Sequence, residues 1–160
     1  MVEQNMEDIE KEYLTLEKKY GLPSFKSLVK EFDVEKVSEK SKGILLKDIR
    51  HVMAEKISSY LSFFEMLINP SSPPMFVFSF LKNLNDDAKK EIQECYKELS
   101  RMQIMIIKTD VLFKEESEAN AIKTIFDKWQ IVGKKTFDLV DLFEKEFEKS
   151  IETKGKSYFG

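Results

Sequence analysis

The chain has 160 residues, 42% of them hydrophobic and 34% charged, with 29 acidic against 26 basic side chains and a net charge of −3. That balance is too apolar for a disordered chain and too charged for a membrane-embedded one, and the length suits one domain with a core that needs neither disulfide nor metal. Lysine supplies 24 of the 26 basic residues, leaving Arg50 and Arg101 as the only arginines, so the concentrated basic, arginine-bearing footprint of a nucleic-acid binder is missing and no nucleic-acid partner is expected.

The first element is a helix over about residues 3–20, because Met6, Ile9, Tyr13, Leu16 and Tyr20 recur at three- and four-residue spacing. Gly21 and Pro23 end it. Ser24 is placed to cap a short helix carrying Phe25, Leu28, Val29 and Phe32, and Asp33 to open a further turn through Val37, giving an accessory element at about 24–37. Lys40 to Gly43 reads as a loop. A long helix follows at about 44–68 with the stripe Leu45, Ile49, Met53, Ile57, Tyr60, Phe64 and Leu67, and Pro70, Pro73 and Pro74 stop it.

Met75 to Leu81 is ambiguous, since Phe76, Phe78 and Phe80 alternate as in a strand while Phe76, Phe80 and Leu84 fit a helix. A lone strand has no partner with which to satisfy its backbone, so an accessory helix at about 73–84 is expected. Asn85 caps the next long helix, about 86–114, on the stripe Ala88, Ile92, Cys95, Leu99, Met102, Ile106 and Phe113. Its second half adds Met105, Ile107, Val111 and Leu112 and should be buried on several sides. Ser117 then opens a last helix over about 118–152 with Ile122, Ile125, Trp129, Val132, Val140, Phe143, Phe147 and Ile151 facing the core. Residues 153–160 read as a frayed tail. The whole is an all-α, elongated four-helix bundle forming a single domain over 1–160.

Chemistry-bearing constellations are sparse. A di-iron bundle needs two Glu-x-x-His motifs, and His51 is the only histidine, so no metal is expected. With five glycines there is no phosphate-cradling loop, and no Gly-x-Ser-x-Gly elbow accompanies His51. Neither a catalytic residue nor a cofactor is therefore expected. Cys95, the only cysteine, sits on a core stripe and reads as a small buried hydrophobe. Two polar residues stand out: His51, beside an apolar stripe with Asp48 nearby, and Asp110, which lies in the most apolar helix half and needs a partner such as Lys108 or Arg101 if buried. The acidic N-terminus lacks a signal-like apolar region and no apolar run approaches the ~20 residues needed to cross a bilayer, which gives a soluble, cytoplasmic expectation without membrane insertion.

The strongest compositional signal is thirteen phenylalanines, clustered near residues 63–64, 76–80 and 137–147. A short helix with only Ser79 polar across Met75–Leu81 has more apolar surface than one neighbour can cover. The expected function is a non-enzymatic helical protein–protein interaction module that self-associates as a homodimer through Met75, Phe76, Phe78, Phe80, Leu81 and Leu84. The competing reading is a binder of an apolar small molecule or lipid in a cavity lined by Phe and Met.

Overall fold

In the computed structural model residues 2–37 and 44–158 are described, and every element among them is a helix. α1 spans Val2–Tyr20, α2 Phe25–Phe32, α3 Leu45–Ile68, α4 Met75–Asn83, α5 Asp86–Leu112 and α6 Glu115–Tyr158, with one 3₁₀ turn at Val34–Lys36. The loop expected at Lys40–Gly43 lies outside the described residues. The chain is thus an all-α helical bundle. α3, α5 and α6 pack mutually, while α1, the fourth long helix, lies against α2 and α6.

Local signals set the boundaries. Gly21 adopts φ +64°, the left-handed conformation that closes α1, and its N–H donates to the Glu17 carbonyl at 2.8 Å. The buried Tyr13 hydroxyl donates to the Pro23 carbonyl at 2.7 Å, pinning the exit of the same helix. Ser24 and Asn85 cap α2 and α5, their side-chain oxygens accepting from the backbone N–H of Ser27 and Ala88. Met75–Asn83 is a helix, as the lack of a strand partner required.

The core runs along facing stripes. Ile49, Met53, Ile57 and Phe64 of α3 meet Cys95, Leu99 and Met102 of α5 and Ile122, Ile125 and Trp129 of α6, all buried. An aromatic group docks α2 onto them. Phe32 lies 5.6 Å from Trp129 between ring centroids, Trp129 meets Tyr60 edge-on at 5.0 Å, and the Lys56 ammonium sits 5.1 Å above Trp129.

Three sequence expectations change. The break between the last two helices lies at Phe113–Lys114, and Ser117 is inside α6 rather than its cap. The turn is made by Phe113 itself, which takes the left-handed φ of 49°. Second, the end of α5 is not enclosed: Ile104, Ile107, Val111 and Leu112 are all exposed, and Phe113 leaves the core stripe, which finishes on Thr109. α3 and α6 cover only one side of α5, and α1 packs elsewhere. Third, Val140, Phe147 and Ile151 are exposed: Val140 flanks the stripe carried by Thr136, Leu139 and Phe143, and Phe147 and Ile151 lie where α6 outruns its neighbours. Its 44 residues measure about 66 Å against about 36 Å for α3, and the last residues it gives the core are Leu139, Leu142 and Phe143. The helical backbone also continues past the expected end at 152, to Tyr158.

Candidate functional site

α4 divides into two faces. Val77 and Phe80 are buried, Phe80 edge-on to Phe143 of α6, and Leu81 and Leu84 are half-buried against the same core. Met75, Phe76 and Phe78 are 75%, 53% and 57% exposed, Phe76 one turn before Phe80 at the open start of the helix and Met75 and Phe78 on its outer side. The six residues expected to form one contact surface are therefore split: three hold the helix down and three stand open. α4 packs on α6 through Val77 and Phe80, and three large apolar side chains remain exposed on the same short helix.

The two polar residues singled out in the sequence do come together. His51 Nε2 lies 3.7 Å from Asp110 Oδ1. Asp110 is held more firmly by a residue that sequence reasoning passed over, Arg50, whose side chain is fully buried. Its Nη2 hydrogen-bonds Asp110 on α5, and its Nε donates to Glu118 Oε2 on α6 at 2.5 Å, with Nη2 3.4 Å from Glu118 Oε1. The sequence signal for it was weak but present: Arg50 directly follows Ile49 on the core stripe of α3, where an unpaired cation would be prohibitively costly. Burial alone would lower the Arg50 pKa, but its bonds to Glu118 and then Asp110 outweigh this and hold it above its ordinary value. Nη1 has no hydrogen-bond partner among the described residues. Both carboxylates are committed to the guanidinium, so the cluster works as a tie between helices rather than an acid–base pair.

Beside this tie is a cavity of about 470 Å³ between α1, the start of α3 and the α5–α6 turn. Leu16, Ile44, Leu45, Leu46 and Phe113 form its apolar wall. Of its acidic lining, Glu118 is held by Arg50, and Glu115 accepts from the Tyr20 hydroxyl at 2.6 Å and from Lys19 Nζ at 2.9 Å. Those bonds, Tyr20 first and Lys19 second, hold the Glu115 carboxyl below its usual range. Lys47 lies 5.3 Å above the Phe113 ring, and neither Lys47 nor Lys114 has a carboxylate partner among the described residues. The interior phenylalanines and methionines, such as Phe32, Phe64, Met53 and Met102, are instead packed in the core.

Cys95 is fully buried, and burial pushes its thiol up to about 11, with Lys135 opposing and Glu91 and Glu94 adding to the shift. It is a core residue, not a nucleophile. Among the described residues no helix is long and apolar enough to cross a membrane, and no three His, Cys, Asp or Glu side chains converge as metal ligands would. Comparison with protein-family models, with curated proteins and with solved structures gives no match to this chain.

Proposed function

We propose that the protein is a non-enzymatic helical interaction module and that two copies pair through the outer face of α4. The observation that supports this reading is the exposure of Met75, Phe76 and Phe78 on a helix whose opposite face already satisfies the core. A self-contact also answers the second apolar excess in the same region. Beyond Phe143, the end of α6 carries Phe147 and Ile151 at 45% and 51% exposure, where no long helix among the described residues covers them. A two-fold pairing presents one patch to its own copy, so a single apolar surface is enough for a closed dimer. Lys82 and Asn83 follow on the exposed part of α4 and would form a polar rim.

Molar mass by light scattering over a hundredfold range of concentration tests the reading. A dimer that dissociates on dilution, or one that persists throughout, supports it. A monomer at the highest concentration overturns self-association.

A further inference from the structure

We infer that a row of carboxylates along the end of α6 holds back the pairing of two copies, and that salt releases it by screening their charge. This rests on the pairing reading above and adds its regulation: ionic strength sets how much of the protein is paired.

The charge lies beside the apolar residues that pairing would cover. From Asp138 to Glu152, α6 carries six carboxylates and two lysines. Both lysines bond within the helix, Lys145 Nζ to Asp141 Oδ2 at 2.6 Å and Lys149 Nζ to Glu146 Oε1 at 2.8 Å. Glu144, Glu148 and Glu152 make no salt bridge among the described residues. With Asp141 they are spaced by three, four and four positions, which sets four exposed carboxylates in one row alongside Phe147 and Ile151. The row ends within about 14 Å, along the helix, of Phe143, the residue on which Phe80 of α4 docks.

The neighbouring elements do not cancel this charge. α4 has Lys82 as its one charged residue, the start of α5 balances Asp86 and Asp87 with Lys89 and Lys90, and the last turns of α3 add Glu65. A two-fold contact sets each patch against its own copy, so an excess of one sign meets the same sign. Between exposed charges that repulsion reaches about one Debye length, ~30 Å at 0.01 M salt and ~10 Å at 0.1 M. Added salt therefore removes the repulsion and leaves the apolar contact of Met75, Phe76 and Phe78 in place.

Sedimentation equilibrium of the full chain in about 0.01 M and about 0.5 M sodium chloride tests this. The parent's association constant should rise roughly tenfold between the two. Glu144→Gln/Glu148→Gln/Glu152→Gln should pair at low salt about as tightly as the parent does at high salt, a thermal melt confirming that it folds. Lys82→Gln reads the same balance from α4: it should weaken pairing at low salt and leave it unchanged at high salt. A parent that pairs equally or more weakly at high salt overturns the inference while pairing itself stands. So does a glutamine variant that keeps the parent's full salt dependence, or an effect of Lys82→Gln that is the same at both salts. If the parent and the glutamine variant are monomers in both salts, the pairing reading and this inference fall together.

Discussion

Arg50 Nε on α3 lies 2.5 Å from Glu118 Oε2 on α6 while its Nη2 hydrogen-bonds Asp110 on α5, so one buried guanidinium ties together the three helices that form the core. The two carboxylates differ in setting: the Glu118 side chain is 7% exposed and that of Asp110 is 48% exposed. Glu118 consequently has no solvent to fall back on if its partner is removed, and Asp110 has.

That asymmetry sets the first prediction. Arg50→Ala, which strands Glu118, should lower stability by about 3–5 kcal/mol, and Asp110→Asn by about 1 kcal/mol or less. Replacing the buried pair together, Arg50→Met with Glu118→Leu, should recover most of the larger loss, since the tie specifies helix alignment more than it adds net stability. Urea unfolding of the four proteins checks this. A double variant no better than Arg50→Ala would contradict it.

The split of α4 gives a second expectation. Phe80→Ala opens a hole beside Phe143 and should cost about 3–5 kcal/mol. Phe76→Ala, one turn earlier where the ring is half exposed, should change the stability of the isolated subunit by no more than about 0.5 kcal/mol. The sequence treats these two rings as equivalent; denaturation midpoints at low concentration should not.

Phe113→Gly relieves a left-handed conformation that glycine adopts freely. Against the entropy of a more flexible unfolded chain, the net gain should be ~1 kcal/mol, read as a higher melting temperature. A fall in melting temperature would mean that the Lys47–Phe113 contact contributes more than the strain costs.

The Cys95 thiol should be unreactive towards aromatic disulfides until the protein unfolds, and it should also shape the alkaline limb of stability. Unfolded, a cysteine ionises near 8.5; folded, burial delays this to about 11. Between those values the folded state holds the proton and the unfolded state loses it, so stability falls as pH rises through that window. In Cys95→Ala that part of the alkaline decline should disappear, whatever the variant's stability at neutral pH.

The fold was largely legible because its signals are local and redundant. Caps at Ser24 and Asn85, the left-handed Gly21 and the prolines after Ile68 set most of the helix boundaries. The periodic stripe from Ala88 to Ile106 reports the inner face of α5 directly. What periodicity does not contain is the number of neighbours a helix will have. Ile107 and Val111 look as buried as Ile106 until it is known that α5 is covered on one side only. The turn at Phe113 was hidden because the residue that adopts the left-handed conformation is one that ordinarily avoids it. The candidate sites depend on contacts between residues far apart in sequence. His51 and Asp110 could be named singly, but Arg50 and Glu118 are 68 positions apart and pair only through the packing of α3 on α6.

Sedimentation equilibrium of the Phe76→Asp/Phe78→Asp variant beside the parent protein tests whether two copies pair through α4. The expected result is a helical, cooperatively melting variant whose association constant falls by at least roughly a hundredfold, two exposed aromatic anchors having been replaced by charges at a two-fold contact. A variant that associates as the parent does, with its fold intact, would contradict it.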